Sequence, residues 1–325
     1  MIIRNQNPKG GTELQFEYLK KYVDNSLLDQ VQICTSVPEK IPLNSTKPNI
    51  LWQKNSYDQP NLAPWFSNST NHDKYDWYVF NSHWSYEKYR YVFKLESPNC
   101  LVIKNGIDYD ELVVKEKQKP TDKIKLIYFS TPWRGLEVLL NSMEQLKNNK
   151  NVTLDVYSST QIYGDSFKQK NDKHYLKLYE RAKKLPNVNY KGYCPHKELL
   201  KKLPEYDAYV YPSIWEETFC ISAMEALASG LVLLTTDLGA LPETCAEFPI
   251  YVPYTADYKM LTERFTAGIE GLQSMFSKDI NDILDFQKAY YKKFYDWNVI
   301  GMFWKRFLLG AYREKRTTIK KRNEI

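Results

Sequence analysis

AYVYPSIWEETFCISAMEALASGLVLLTT, residues 208–236, sets a short apolar run on each side of an irregular turn and a brief helix. The outer runs, AYVYPS and LVLLTT, read as strands, because each is short, apolar and closed by hydroxyl or turn residues. Between them the turn PSIWEETFC leads into a helix over roughly residues 221–229. Strand, turn, helix, strand is the unit from which parallel α/β sheets are built. Ligands of open α/β sheets lie outside the carboxyl ends of the strands, so this turn is where a site is expected. The helix after it aims its N-terminal amides and positive dipole end at the same place, which suits a diphosphate.

Two carboxylates occupy this frame: Glu217 in the turn and Glu225 one turn into the helix, eight positions later. Two glutamates at that spacing, taken alone, describe a solvated helix face. The frame gives them more meaning, since Pro212-Ser213 ends a strand and Ala223, Ala226, Ala228 and Gly230 let the helix lie close to the sheet. Eight residues span about 12 Å if fully helical, comparable to the distance from the sugar ring of a nucleotide sugar to its ribose. On that basis Glu217 would accept hydrogen bonds from sugar hydroxyls and Glu225 would grip the ribose diol. The helix start would hold the phosphates between them.

Outward from this segment the chain alternates strands and helices, an α/β pattern with parallel sheets. MII and then NPKGG (residues 7–11) precede a helix at TELQFEYLKKYV, a strand–glycine turn–helix order that points backbone amides at an anion and makes Gly11 a candidate contact. VQICTS, NILWQK, WYVFNS and CLVIKN read as further strands. The charged stretch DYDELVVKEKQKPTDK (residues 108–123) reads as a linker, after which the pattern restarts with strand IKLIYFS, turn TPWRG, helix LEVLLNSMEQLKNN and strand VTLDVYSS. A helix near residues 174–185, strand VNYKGY and helix HKELLKKL complete the second block. Two βα blocks joined by one linker imply two Rossmann-like domains facing each other, residues 1–107 with about 297–325, and residues 108–296. The last helices carry Phe294, Trp297, Phe303, Trp304 and Phe307 at roughly helical spacing, a core or packing stripe.

The composition, 43% hydrophobic and 26% charged over 325 residues, places the chain among soluble globular proteins. No apolar run reaches the roughly 18 residues of a transmembrane helix, and MIIRNQNPKGG lacks the apolar core of a signal peptide. Cys34, Cys100, Cys194, Cys220 and Cys245 are scattered, with no metal-ligand spacing, which points to a reduced compartment; a cytoplasmic location is expected. The net charge is +6, and the tail REKRTTIKKRNEI (residues 313–325) carries much of it. That tail reads as a solvated end or as a peripheral contact with an anionic membrane surface. Basic residues are not clustered elsewhere, so nucleic acid is not an expected partner.

YPSIWEETFCISAMEALASGLVLLTTDLGALPE (residues 211–243) resembles the donor-binding signature of glycosyltransferase family 4, the retaining group 1 transferases of GT-B fold, with its Glu-x7-Glu motif. NPKGGTE, NGID, STPWRGLE and VNYKGYCPHKEL fall in the order that family shows. The resemblance is strong over residues 100–250 and thin over 12–99. It implies a nucleotide-sugar donor, such as a UDP- or GDP-sugar, and a glycan, glycolipid or glycoprotein acceptor. It also implies a C-terminal helix crossing back to the N-terminal domain, and no metal. Glu217 would contact the donor sugar, residues Thr218, Phe219, Cys220 and Ile221 the sugar and phosphates through their amides, and Glu225 the ribose. Tyr193 and Cys194 would lie by the nucleobase. Arg134 stands where the family carries a lysine for the leaving diphosphate, and a guanidinium can bind phosphate oxygens in bidentate fashion. The chain departs from the family at Ser130, where a second cation is common, and at Lys54, where many members carry a histidine; His72 and His83 are near in sequence.

The resemblance implies front-face transfer with retention, in which the leaving phosphate acts as base. Fixed amide dipoles and Arg134 would stabilise the departing diphosphate. Asp108-Tyr109-Asp110 spells the metal-binding pattern of another transferase class, but it opens the linker. An epimerase or phosphorylase on the same fold, or a non-catalytic nucleotide-sugar or polyanion-binding protein, are the alternative readings.

Overall fold

The computed structural model describes residues 10–96 and 98–323; the strand expected at residues 1–3 lies outside them. The chain forms two compact units, Gly10–Gly106 with the chain from Phe294 onward, and Ile107–Lys293. Among the described residues, the first unit is a parallel sheet of β1 (Gln32–Thr35), β2 (Asn49–Gln53), β3 (Trp77–Phe80) and β4 (Cys100–Val102), in that spatial order. The apolar centre Ile50-Leu51-Trp52 of NILWQ is flanked by the polar Asn49 and Gln53, and β2 is buried along its whole length, as a strand covered on both faces is. Its helices include α1 (Gly11–Tyr22) and α2 (His83–Phe93), the latter capped by Ser82, whose hydroxyl accepts the Ser85 amide.

The C-terminal helix Trp297–Asn323 belongs to this first unit. Trp297, Ile300, Trp304 and Leu308 share one stripe and one buried cluster with Tyr18 and Leu19 of α1, Ile50 and Trp52 of β2, and Val79 of β3. Trp304 meets Trp52 edge-on at 4.6 Å between ring centroids, a favoured aromatic geometry. The expected aromatic stripe is therefore narrower than the sequence suggested: Phe294 and Phe303 are exposed.

The second unit is a six-stranded parallel sheet among the described residues, ordered β10-β9-β8-β5-β6-β7. Its strands are β5 (Ile124–Tyr128), β6 (Val152–Val156), β7 (Val188–Tyr190), β8 (Ala208–Tyr211), β9 (Val232–Thr236) and β10 (Ile250–Val252). Its helices include α3 (Leu136–Gln145), α4 (Leu176–Lys184), α5 (His196–Lys202), α6 (Ile221–Ala228), α7 (Tyr258–Phe276) and α8 (Asn281–Tyr295). The chain runs outward through β5, β6 and β7, then returns to the other side of β5 for β8, β9 and β10. The carboxyl ends of β5 and β8 therefore flank a topological switch point, where open α/β sheets hold ligands.

The charged stretch 108–123 is built into this unit rather than strung between domains. The Lys115 amide donates to the Ser229 carbonyl at 2.9 Å, its Nζ pairs with Asp207 at 3.1 Å, and the Gln118 amide donates to Asn281 Oδ1 at 2.8 Å. Among the described residues, no helix is long and apolar enough to cross a membrane.

Candidate active site

The strand-to-helix turns after β5 and β8 are pressed together at the switch point. Tyr128 donates its hydroxyl to the Thr131 carbonyl at 2.8 Å and fixes the first turn, which carries Arg134. The next residue, Gly135, has φ +110, and a Cβ there would stand 1.9 Å from the Pro212 carbonyl oxygen. Only glycine permits that approach, and it brings the Arg134 turn against the segment that carries Glu217.

Glu217 is 5% exposed, so its carboxylate requires partners. Arg134 Nη1 donates to Oε1 at 2.8 Å, and the Tyr211 hydroxyl donates to the same oxygen. Among the described residues, no protein donor reaches Oε2. Nor does an acceptor reach the buried Nε of Arg134. Burial works against the Arg134 charge, but Glu217 beside it more than compensates and holds the guanidinium above its ordinary range. Burial first, and then the Glu217 charge, pushes the Tyr211 phenol well up, so it remains a donor. The result is a buried carboxylate paired through one oxygen, beside a guanidinium that pairs with it through Nη1.

Behind Glu217 lies Gly239, with φ +67; a Cβ there would fall 2.6 Å from the Glu217 nitrogen and 2.7 Å from its carbonyl oxygen. The Ala240 amide donates to that same carbonyl at 2.8 Å. The loop after β9 therefore holds the Glu217 backbone directly.

Cys220 enters α6 with φ +72, a left-handed conformation that costs a non-glycine residue about 1–2 kcal/mol. The buried Thr244 hydroxyl donates to the preceding Phe219 carbonyl and braces the turn. Helical geometry begins at Ile221, so the span from Glu217 to Glu225 is a turn followed by a helix, not one continuous helix. Phe219 and Cys220 are buried, whereas Thr218 and Ile221 are half-buried at the mouth of the turn. Burial, and then Glu217, pushes the Cys220 thiol up to about 12, which keeps it neutral.

Glu225, 4% exposed, is the other buried carboxylate. His196, at the start of α5, places Nε2 2.8 Å from Glu225 Oε1. The sequence reading missed this histidine, although it stands in the quoted CPHKEL. Tyr193 is 41% exposed after β7 and Cys194 is half-buried, its thiol pushed up by burial. The remaining candidate, Gly11, is exposed on the first turn of α1 in the other unit.

Of the other residues singled out in the first unit, His72 places Nε2 2.8 Å from the Phe66 carbonyl oxygen, a structural contact. His83 opens α2. Lys54 is buried with Nζ 2.5 Å from Asn105 Oδ1 and 3.8 Å from the Trp52 ring centroid, and burial drives its pKa well below the ordinary lysine range. Asp108 accepts the Asp110 amide at 3.2 Å, a contact within the turn they share. Among the described residues, no group of three or more His, Cys, Asp or Glu side chains is arranged to hold a metal ion.

Residues 110–267 match the family model described as glycosyl transferases group 1, a span that includes the whole second sheet. A glycosyltransferase from Rickettsia africae ESF-5 has a similar structure, with a TM-score of 0.67 and 16% identity, covering 97% of this chain and 84% of that one. The pneumococcal O-GlcNAc transferase GtfA, solved with UDP and GlcNAc, gives 0.60 at 17% identity over 82% of this chain. The chain spans about half of that enzyme, 53%. Anabaena HepE, solved with UDP and glucose, gives 0.60 at 16% identity over 81% of this chain and 72% of its own. No curated protein matches the sequence. The fold is the two-domain GT-B architecture of these glycosyltransferases, and the group 1 domain match supports a glycosyltransferase.

Proposed function

We propose, from a second unit that carries a glycosyl transferases group 1 domain, that the chain transfers a sugar from a nucleotide-sugar donor to an acceptor hydroxyl. The acceptor is a glycan, a lipid or a protein-linked sugar, and transfer proceeds with retention by a front-face route that needs no metal. The observation that carries this reading is the Arg134–Glu217 pair at the switch point. A sugar nucleotide joins its hydroxyls to its diphosphate through one anomeric carbon. A site for it needs a hydroxyl acceptor and an anion donor side by side, and the adjacent Glu217 carboxylate and Arg134 guanidinium would supply them.

Bond cleavage leaves a nucleoside diphosphate anion and an oxocarbenium-like sugar. Arg134 and the first amides of α6 stabilise the anion as it forms, where burial strengthens each interaction. Glu217 fixes the sugar by its hydroxyls, and Glu225 fixes the ribose. The diphosphate oxygen takes the proton of the incoming hydroxyl on the face it leaves, so the anomeric configuration is kept. The UDP complexes of GtfA and HepE favour a uridine donor. The nucleobase would lie by Tyr193 and Cys194, and Gly11 is kept as a further donor contact through the backbone amides of its turn.

Nucleoside diphosphate release from UDP- and GDP-sugars in excess EDTA, with and without acceptor, tests this reading. Acceptor-dependent release that survives EDTA is expected, with an NMR spectrum in which the product keeps the donor's anomeric configuration. Release of no nucleoside diphosphate from any donor would favour a binding protein, and loss of turnover in EDTA would favour metal-dependent transfer.

A further inference from the structure

Glu225 uses one carboxylate oxygen within the protein. His196 Nε2 stands 2.8 Å from Oε1, and among the described residues no protein donor reaches Oε2. A carboxylate this buried is costly without a partner and free to rotate about its last torsion without a tether. The histidine ring answers both needs. It sits on the first residue of α5, after Pro195 at φ −57 and ψ 139, so its backbone is set before the helix begins. Its other nitrogen, Nδ1, is buried without a partner among the described residues, and Nε2 carries the ring's polar contact.

We propose that His196 is a positioning residue of the donor pocket, which binds Oε1 of Glu225 so that Oε2 is presented to the ribose diol. This rests on the reading of Glu225 as the ribose ligand. The charged groups around the ring are Glu225 on α6, Glu111 in the segment before β5, and the adjacent Lys197, which pairs with Glu111 at 2.6 Å. Burial opposes protonation of the ring, but Glu225, with help from Glu111 against Lys197, raises its pKa above the ordinary histidine value. A protonated ring strengthens the bond to Glu225 and adds positive charge beside an anionic donor. Donor affinity should therefore fall as pH rises through that raised value.

Calorimetric titration of UDP and GDP into the full chain tests the proposal, using wild type, Glu225→Ala, His196→Ala and His196→Gln at pH 6 and pH 8.5. Loss of a hydrogen bond to a charged group predicts roughly 10-fold or greater weakening in His196→Ala. Glutamine can place an amide N–H where Nε2 stands, so His196→Gln should bind within about 3-fold of wild type at pH 8.5. Wild-type affinity should drop from pH 6 to pH 8.5, and both His196 variants should lose that dependence. In turnover assays His196→Ala should raise donor KM and leave kcat nearly unchanged, the signature of lost uniform binding; a purely structural role would lower the active fraction and leave KM alone. If Glu225→Ala weakens nucleotide binding while His196→Ala binds like wild type, the inference about His196 is wrong and the donor-site reading stands. If Glu225→Ala binds like wild type, or wild type binds neither nucleotide, the donor-site reading itself fails.

Discussion

Gly239→Ala should disable the site from behind without touching a side chain in it. The new Cβ would lie 2.6 Å from the Glu217 nitrogen, and backbone must retreat by about 0.8 Å to reach the 3.4 Å of ordinary contact. Neither partner is a flexible side-chain tip, and the 2.8 Å bond from the Ala240 amide to the Glu217 carbonyl ties the two loops together. The φ of +67 adds about 1–2 kcal/mol of strain for alanine. A displacement near 1 Å at a positioning group can cost about 100-fold in rate. The variant should melt several degrees lower and turn over donor roughly 30- to 100-fold more slowly. Nucleoside diphosphate release at saturating donor, beside a thermal melt, measures both. Gly271→Ala is the control: it lies in α7 with nothing within 4 Å of its added Cβ, and alanine there should stabilise by up to about 1 kcal/mol. Wild-type turnover in folded Gly239→Ala would refute the claim that this loop sets the position of Glu217.

Arg134→Lys keeps a positive charge but loses the fork that pairs with Glu217 and, on the proposed function, with the leaving diphosphate; donor kcat should fall about 10- to 100-fold, measured by the same release assay. Trp304→Ala removes a fully buried indole packed on Trp52 and should cost about 3–5 kcal/mol in urea titration. The raised pKa of His196 also has a stability consequence. Its pairing with Glu225 contributes fully below the ordinary histidine value of about 6.5 and is lost as pH rises through the raised one. The difference in melting temperature between wild type and His196→Ala should therefore shrink from pH 6 to pH 8.5.

Much of the fold was legible because each buried strand is a short apolar run between turn residues. NILWQ, WYVF, IKLIY and VLLTT all became strands. The turn that carries Glu217 was legible because strand, turn and helix follow one another without a gap, which confines Glu217 and Glu225 to a single edge of the sheet. What the sequence concealed depends on distant contacts. The helix α7 carries Leu261, Phe265, Ile269, Leu272 and Phe276 on its buried face, but Gly268 and Gly271 interrupt its local propensity. The stretch 108–123 reads as a linker by its charge, yet its backbone and Lys115 are held by Ser229 and Asp207, which no local pattern reveals. Tyr211 looks like one more aromatic of a strand until its hydroxyl is found on Glu217. His196 and Gly239 were visible as residues, but their roles come from partners 29 and 22 positions away.

The most direct test is Glu217→Gln, which keeps an acceptor for Arg134 and removes the carboxylate charge. Donor turnover and nucleotide affinity should be measured on the same preparation. Sugar transfer from the preferred donor should be lost by at least about 100-fold while the nucleoside diphosphate binds within a few-fold of wild type. Turnover equal to wild type would contradict the assignment of Glu217 to the sugar.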